Sequence, residues 1–479
     1  MTSKLSTVST LRTLSTLRTV STLRTLSALR TVWTRSTLWT LGTLRTVALT
    51  LALLPGAAAC VDDPTPIEPY TDTCAAAKSG QICTFAGTGS QGFDGEGNHR
   101  LQSFLYHPND LGFDLAGAAF LLDWNNHRVR KVGSDDKLTT VIGADEPGDG
   151  DPAKDDLKAG AAGTLVKLNH PTDVFFPAID TPIAKKGTLL LAAWHNHRFR
   201  TWDPVTGLVT VTCGTAPGFG GDGAPASKAT NFNQPSKLTQ DAAGNSYIVD
   251  MRNWRIRKAA ADGMMSTVAG TGKVGGLTSD AVGLAKEAMF LFFDPAEFSN
   301  PSDPGGGLIT SADGKTLYIA DTGNHRIRAV DIAAGTIVTV AGSGPSGCDG
   351  GPCVMDNGFN AGPFLHPFVG AFSGDGGPAT VARLNFPHDL ALGPDGHLYF
   401  ADTGNHRVRA IDLKTGIIRT VAGNGVEPVG IKALKDSELG DGKPAIQGRL
   451  NRPRGVAFDK AGNLYVADTY NHRIRKIIK

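Results

Sequence analysis

One pattern, written six times along the chain, constrains the fold more than any other feature. Each copy has a short alternating apolar run, a polar turn that contains Asn, and a second alternating run that begins with Arg. The copies are LLDWNNHRVRKV (121–132), LAAWHNHRFRTW (191–202), YIVDMRNWRIRKA (247–259), LYIADTGNHRIRAV (317–330), LYFADTGNHRVRAI (398–411) and LYVADTYNHRIRKI (464–477). The shared Asn recurs every 57 to 81 residues, so the chain is built from equivalent supersecondary units.

Each unit contains two further runs besides this pair. A Leu/Phe-x-x-Pro string and an apolar run precede it, as in LNRPRGVAFD at 450–459, and a TVAG-like run follows it, as at 420–423. Runs of four to six residues that are rich in Val, Ile, Leu and Tyr and bounded by Gly, Asp or Asn are typical of strands. Six units of four strands predict an all-β fold, a six-bladed β-propeller of four-stranded blades.

The two ends of the repeat region complement each other. The sequence stops just after the third run of the sixth unit, whereas Ile82–Ala86 is a TVAG-like run that belongs to no unit. We expect this N-terminal strand to pair with Arg473–Ile477 and to complete the last blade. Such closure would remove an exposed sheet edge.

The recurring Asn-His-Arg string resembles the NHL repeat. Five of the six copies keep it; the third reads Asn253-Trp254-Arg255, and the second has Ala193 where Asp is usual. The resemblance covers about residues 81–479 and implies a propeller. Side chains repeated in every blade are interpreted as fold elements, and this interpretation includes the histidines at 127, 197, 325, 406 and 472.

The first sixty residues have the order of an export signal. A basic, low-complexity segment with a six-residue period leads to the apolar run Val47–Leu54 and then to Pro-Gly-Ala-Ala-Ala-Cys, ending at Cys60. This end resembles a bacterial lipoprotein signal, which implies lipidation of Cys60; ordinary cleavage just before it is the alternative. The three predicted segments are therefore residues 1–60 as signal, 61–80 as a flexible tether and 81–479 as propeller, exported to the bacterial cell envelope and held at the membrane by lipid alone.

Charge and cysteine content agree with this location. The chain has a formal net charge of +2, and residues 1–60 hold seven basic residues and no acid, which leaves the remainder at −5. A mildly acidic body argues against a nucleic-acid partner. Export permits disulfides, and the candidate pairs are Cys74 with Cys83 and Cys348 with Cys353, with Cys213 left as a buried thiol.

The position two residues after the repeated proline is the least repetitive part of the units. It is acidic in four units and basic in a fifth, and the residues are Asp110, Asp173, Lys237, Glu297 and Asp389. Inner strands converge on the axis of a propeller, so these side chains should surround one mouth of the central channel. The carboxylates would repel unless they bind a cation, pair with Lys237 or with the neighbouring His388, or raise a pKa. Structural capping, an axial Ca²⁺ or Zn²⁺ site, and catalysis all remain open.

Two further features bear on the same face. The turn residue after the conserved Asp is Trp124, Trp194 and Met251 in units 1–3 but Thr in units 4–6. Exposed aromatic side chains there would anchor a ligand, and blade packing is the alternative. Gly-Asp-Gly-x-Pro-Ala strings are expected to start a short helix such as Pro378–Arg383. An acidic stretch offers a second calcium hypothesis, at Asp145, Glu146, Asp149, Asp151, Asp155 and Asp156.

Two functions follow from these observations. The leading one is a non-catalytic binding or scaffold module whose channel-mouth face takes a protein, peptide or glycan ligand. The sequence has neither a Gly-x-Ser-x-Gly elbow nor a His-Glu-x-x-His string. The alternative is a metal-dependent enzyme, because propellers related to NHL proteins include lyases and lactonases that use a metal at the axis. The acidic mouth is the one feature that favours it.

Overall fold

A computed structural model of the chain describes residues 70–148, 160–227, 229–274, 283–293, 304–344, 370–427 and 434–479. The chain divides into a segment at 1–66 and a compact unit at 67–479, and every described residue lies in the second. The signal segment, Cys60, Glu297, Cys348 and Cys353 lie outside the described residues. Within the described part, no helix is long and apolar enough to cross a membrane.

The described strands form six antiparallel sheets, which are the six predicted blades. Blades 1 to 3 contain β2 (Pro108–Phe113), β3 (Ala119–Asp123), β4 (Arg128–Val132) and β5 (Leu138–Ile142); β6 (Ala161–Ala162), β7 (Pro171–Phe175), β8 (Leu189–Ala193), β9 (Arg198–Trp202) and β10 (Leu208–Cys213); and β11 (Pro235–Gln240), β12 (Ser246–Asp250), β13 (Arg255–Ala259) and β14 (Met265–Ala269). Blades 4 and 5 contain β15 (Gly283–Leu284), β16 (Leu308–Thr310), β17 (Thr316–Asp321), β18 (Arg326–Asp331) and β19 (Thr336–Ala341); and β20 (Pro387–Leu392), β21 (Leu398–Asp402), β22 (Arg407–Ile411) and β23 (Ile418–Ala422).

Blade 6 joins the two ends of the propeller and confirms the predicted closure. It contains β24 (Val456–Phe458), β25 (Leu464–Asp468), β26 (Arg473–Ile477) and β1 (Ile82–Ala86). Strand β1 pairs antiparallel with β26, with Ile82 opposite Ile477 and Thr84 opposite Arg475. The first described strand therefore covers the free edge of the last.

The turn between the second and third strands of a blade is a single 3₁₀ turn in five of the described blades. The histidine that follows the repeated Asn has a left-handed backbone, as at His406 with φ of 55°. The Asp before the turn accepts three bonds: Asp402 takes one from the Asn385 amide (2.7 Å) and one from Asn405 (2.9 Å), and it pairs with Arg409 (3.4 Å). The repeated Asp and Asn therefore shape the turn.

The repeated histidine also joins neighbouring blades. Its Nδ1 accepts the backbone N–H that precedes the inner strand of the next blade, over 3.0–3.2 Å. The donor and acceptor pairs are His107 with His472, His170 with His127, Gln234 with His197, Phe386 with His325, and Arg452 with His406. An accepting Nδ1 requires the neutral ring, so these histidines act as structural links.

The second Arg of each repeat lies inside its blade, no more than 1% exposed. In blade 5, Arg409 also pairs with Asp375 of the Gly-Asp-Gly string (2.7 Å), and Asp375 accepts the Thr420 hydroxyl of β23 (2.6 Å). Asp375 therefore neutralises a buried guanidinium and does not cap the turn that follows. The predicted helix after this string is reduced to one 3₁₀ turn, Ala379–Val381. The other 3₁₀ turns among the described residues are Trp124–Asn126, Gly163–Leu165, Met251–Asn253, Ala285–Glu287, Thr322–Asn324, Thr403–Asn405, Ala445–Gln447 and Thr469–Asn471.

Candidate functional site

The inner strands begin with proline in four blades, and a bulge follows that proline. In β2 the register shifts between Pro108 and Asp110, and the same shift occurs in β7, β11 and β20. A bulge bends its strand and redirects the next side chains. It brings the side chain two residues after proline to the channel mouth.

Four of these side chains meet at one point. The Lys237 Nζ lies 2.9 Å from Asp110 Oδ2, 2.9 Å from Asp173 Oδ1 and 3.0 Å from Asp389 Oδ1. The three carboxylates are 2%, 4% and 9% exposed, and the lysine side chain is 15% exposed. We call these four residues the axial cluster. Blade 3 thus supplies one ammonium to carboxylates from blades 1, 2 and 5.

Each carboxylate of the axial cluster also holds the next blade. Asp173 accepts the Leu238 amide at 2.7 Å, and Asp389 accepts the Val456 amide at 3.0 Å. Asp110 lies 3.4 Å from the Val174 amide in the same arrangement. These side chains therefore cross from one inner strand to the next.

The charge of the axial cluster is unbalanced, with three carboxyl groups around one ammonium. Burial, opposed by Lys237 and reinforced by Asp173, raises the pKa of Asp110 to about 7. Burial, again opposed by Lys237, raises the pKa of Asp389 to about 6. Burial alone would lower the pKa of Lys237, but the carboxylates raise it well above its usual value. Lysine therefore stays charged near neutral pH and has no free electron pair for nucleophilic chemistry.

The positions of blades 4 and 6 are filled by glycine. Gly307 and Gly455 occupy them, because their carbonyl groups accept the second-strand amides of Ala320 and Ala467. A Cβ on Gly307 would lie 2.1 Å from the carbonyl oxygen of His388. The inner strand of blade 4 follows Gly307, and the close approach of two inner strands leaves no room for a side chain at that position. Glu297, predicted at the mouth, lies outside the described residues.

The cavity beside the axial cluster is small. It measures about 30 Å³, which is room for roughly two water molecules and far below the volume of a small-molecule site. His388, predicted at the mouth, lines it, and its Nδ1 lies 3.0 Å from the Phe386 carbonyl. The first side chains after proline also line it, and these are Asn109, Thr172, Ser236 and Arg454.

The axial cluster places an ammonium where the metal hypothesis requires an ion. Among the described residues, no group of three or more His, Cys, Asp or Glu has an arrangement that could hold a metal. Asp145 pairs with Arg128 (2.7 Å) and Glu146 with Lys167 (2.8 Å), while the rest of that acidic stretch lies outside the described residues. Among the described residues, neither the axial carboxylates nor the part of the acidic stretch at Asp145 and Glu146 therefore forms a metal site.

The predicted aromatic anchors are buried. Trp124 is 4% exposed, and Trp194 and Met251 are fully enclosed in the core. The turn between the second and third strands directs these side chains inward: Trp194 stacks on His195 at 3.9 Å, and Trp124 lies against His170. The expectation of exposed aromatics at these positions is corrected, and the packing alternative describes them.

A different aromatic group, which the repeat pattern did not predict, lies on the same face. Tyr470 stacks on His107 at 4.5 Å, and His107 stacks on His472 at 4.8 Å. Arg452 lies over the Tyr470 ring at 5.3 Å and is exposed, while Tyr470 and His107 are half-buried. The signal was present, because blade 6 has Tyr470 where blades 4 and 5 have Gly323 and Gly404.

The cysteines of the described part follow the sequence expectation. Cys74 and Cys83 form a disulfide that joins the stretch just before β1 to β1 itself. Cys213 is free and buried, and burial raises the pKa of its thiol to about 11.

Comparison with known proteins places these features in a family. The Teneurin NHL domain profile matches residues 67–331, more than half of the chain, and the NHL repeat profile matches 384–411 and 450–477. The chain is 29% identical to human NHL repeat-containing protein 2 over 325 residues, 64% of this chain and 39% of that protein. It is also 29% identical to mouse Teneurin-4 over 326 residues, 64% of this chain and 10% of that protein. It therefore spans well under half the length of these relatives.

The fold is also found among solved structures. A protein of unknown function from Bacteroides thetaiotaomicron VPI-5482 is 14% identical, with a TM-score of 0.53 over 83% of this chain and 75% of that one. Identity this low speaks for the architecture alone. Together, the repeated Asn-His-Arg links, the six closed blades and the profile match show that the chain belongs to the Teneurin NHL domain family.

Proposed function

We propose that this protein is a non-catalytic binding propeller, exported and anchored by lipid at Cys60, whose channel-mouth face takes a protein, peptide or glycan ligand. The observation that carries the proposal is the position of Lys237 Nζ, within 3.0 Å of all three axial carboxylates. The acidic side chains at the channel mouth are the feature that favours a metal-dependent lyase or lactonase, and the Lys237 ammonium occupies the point between them where a metal ion would bind. The cavity of about 30 Å³ beside it is also too small for a substrate.

The surface that supports binding lies on the same face, over blades 6 and 1. The exposed Arg452 and the half-buried Tyr470 and His107 form a cationic and aromatic group. Tyrosine and arginine are the residue types that most often anchor ligands at interfaces, because they combine apolar area with hydrogen-bond donors. The disulfide between Cys74 and Cys83 fits an oxidising compartment.

Binding is tested with the full chain on glycan and peptide arrays. We expect ligands whose signal falls at least tenfold in Arg452→Ala and Tyr470→Ala. Val205→Ser is the matched control, because Val205 is 91% exposed in a turn at the opposite face. Two results would refute the proposal. One is array binding that stays the same in Arg452→Ala and Tyr470→Ala, and the other is metal-dependent turnover of lactone or peptide substrates.

Export and lipid anchoring at Cys60 are tested separately, by expressing the full chain in bacteria that are grown with labelled fatty acid. We expect label in the full chain and none in Cys60→Ser. Label that persists in the variant, or a wild-type chain that stays unlabelled in the cytoplasm, would contradict anchoring at Cys60.

A further inference from the structure

Blade 2 brings together three nitrogen and oxygen atoms that no other described blade combines. Asn169 and His170 precede the inner strand β7, and His195 is the middle residue of the turn between β8 and β9. Asn169 Oδ1 lies 2.9 Å from His170 Nδ1 and 3.3 Å from His195 Nδ1, and the two Nδ1 atoms lie 3.2 Å apart. We call these residues the Asn-His-His triangle.

The edges of this triangle match those of a tetrahedral metal site. Ligand bonds of about 2.0–2.1 Å to zinc give ligand-to-ligand distances of about 3.3 Å. An ion at that bond length from all three atoms would lie about 1 Å out of their plane, with a fourth position left for water. Imidazole nitrogen suits Zn²⁺, Cu²⁺ and Ni²⁺, and the amide oxygen adds one neutral ligand.

The rings are already held in place. Trp194 stacks on His195 at 3.9 Å and 20°, and the Trp124 ring lies 4.9 Å from the His170 ring. The backbone N–H groups of Asn169 and His170 are also bonded, to Asn196 Oδ1 at 3.2 Å and His127 Nδ1 at 3.1 Å. Contacts to the rings and to the backbone restrict the ligand positions and reduce the cost of binding. The triangle differs in this respect from a chance group of surface side chains.

The triangle is also short of protons. Asn169 Oδ1 is an acceptor, so one ring must carry hydrogen at Nδ1 for the two nitrogens to approach to 3.2 Å. The two rings would bind an ion through unprotonated Nδ1 atoms, which is the ligating form. Both are half-buried, so an ion can reach them.

We infer that Asn169, His170 and His195 form a binding site for one divalent transition ion, with Zn²⁺ as the reference ion. The site is separate from the axial cluster and does not depend on the proposed function. Binding replaces the single Nδ1 hydrogen, which moves to Nε2 of the same ring, so no proton is released at neutral pH. The remaining position is taken by water or by a donor atom of a bound partner.

Zinc titration of the full chain by calorimetry, after treatment with a chelator, tests the site. We expect wild type to bind one more equivalent than His170→Ala or His195→Ala, or to bind that equivalent at least tenfold more tightly. Asn169→Asp replaces the amide oxygen by a carboxylate and should bind at least tenfold more tightly than wild type. It remains informative if either alanine variant fails to fold.

Blade 3 supplies the matched control. Gln234 has the position of His170, and Asn233 and Arg252 have the positions of Asn169 and His195. Gln234→Ala should therefore leave zinc binding unchanged. Equal zinc binding by wild type, His170→Ala and His195→Ala, or the absence of any gain in Asn169→Asp, would overturn the inference.

Discussion

Replacement of Lys237 by methionine tests the electrostatics of the axial cluster. The substitution keeps an apolar stem of similar length and removes an ammonium that contacts three carboxylates at 2.9–3.0 Å. Removing one partner of a buried ion pair costs about 3–5 kcal/mol, because the remaining charge is left without compensation. With three acidic partners, we expect the free energy of unfolding at pH 8.5 to fall by about 5 kcal/mol.

The loss should depend on pH. A carboxyl group whose pKa is raised in the folded state favours folding at low pH, and that contribution is lost as the pH rises through the raised value. In wild type the raised values are about 7 for Asp110 and about 6 for Asp389, and removing Lys237 raises both further. At pH 5 the carboxyl groups of Asp110 and Asp389 in the variant are protonated in the folded state, so the deficit in its free energy of unfolding should shrink to less than half.

The assay is urea denaturation at pH 5 and pH 8.5, followed by the fluorescence of the buried Trp124 and Trp194. Lys414→Met is the control, because Lys414 is exposed and its loss should change the free energy of unfolding by less than about 0.5 kcal/mol. A deficit of Lys237→Met that is equal at the two pH values, or below about 1 kcal/mol at pH 8.5, would refute the reasoning.

Three further predictions concern links between blades. Burial lowers the pKa of His472 to about 4, so the stabilising effect of its bond with the His107 N–H is complete above pH 6.5 and is lost as the pH falls toward 4. In denaturant melts over that range, the free energy of unfolding of wild type should fall by about 1–2 kcal/mol more than that of His472→Asn. An equal fall in the two proteins would contradict this link between blades. Gly307→Ala places a Cβ 2.1 Å from the His388 carbonyl oxygen and should lower the free energy of unfolding by about 3 kcal/mol in the same melts. Gly220→Ala should not, because the added Cβ would meet only the Asn231 side chain, at 3.7 Å. Thr84→Pro removes the N–H that Thr84, in the closing strand β1, donates to Asp441 at 2.7 Å, and it should cost about 3 kcal/mol, with faster hydrogen exchange in blade 6. Unchanged exchange there would argue against a role of this bond in holding β1.

The blades could be predicted from sequence because each repeat carries its own local instructions. Three signals act within a single unit: the alternating apolar runs, the Asp and Asn of the turn, and the glycine that ends each TVAG-like run. The closing strand Ile82–Ala86 could be predicted for the same reason, since it matches the strand that blade 6 lacks. A prediction of this kind needs only the repeat pattern, even though the two paired strands lie at opposite ends of the propeller sequence.

Blade 4 shows where that reasoning fails. Pro295 resembles the repeated proline, so the repeat pattern predicts Glu297 at the axial position. The chain instead reaches the inner strand through Gly305, Gly306 and Gly307, and a Cβ at Gly307 would strike the neighbouring inner strand. The spacing between inner strands decides this position, and spacing between blades leaves no periodic signal in the sequence.

The axial cluster was predicted in composition but not in geometry. Pairing of the carboxylates with Lys237 was one of several outcomes that the residue types allowed. The sequence could not show that side chains from blades 1, 2, 3 and 5 meet at a single ammonium. The burial of Trp124 and Trp194 is likewise set by the direction of the turn between the second and third strands, which residue type alone does not determine.

The Asn-His-His triangle was hidden for a related reason. His170 and His195 are 25 residues apart, and each occupies a position that varies between blades. Only the pairing of β7 with β8 brings the two positions together. Aligned blades reveal such a site when two variable positions that face each other both carry ligating side chains.

The most direct test of the account is a high-resolution crystal structure of the full chain, soaked with Mn²⁺ and measured for anomalous scattering. The account predicts Lys237 Nζ within about 3 Å of Asp110, Asp173 and Asp389, with no anomalous peak among them. A Lys237 side chain turned away from the axis, with a manganese peak between the three carboxylates, would contradict the closed axial cluster and favour a metal-dependent enzyme.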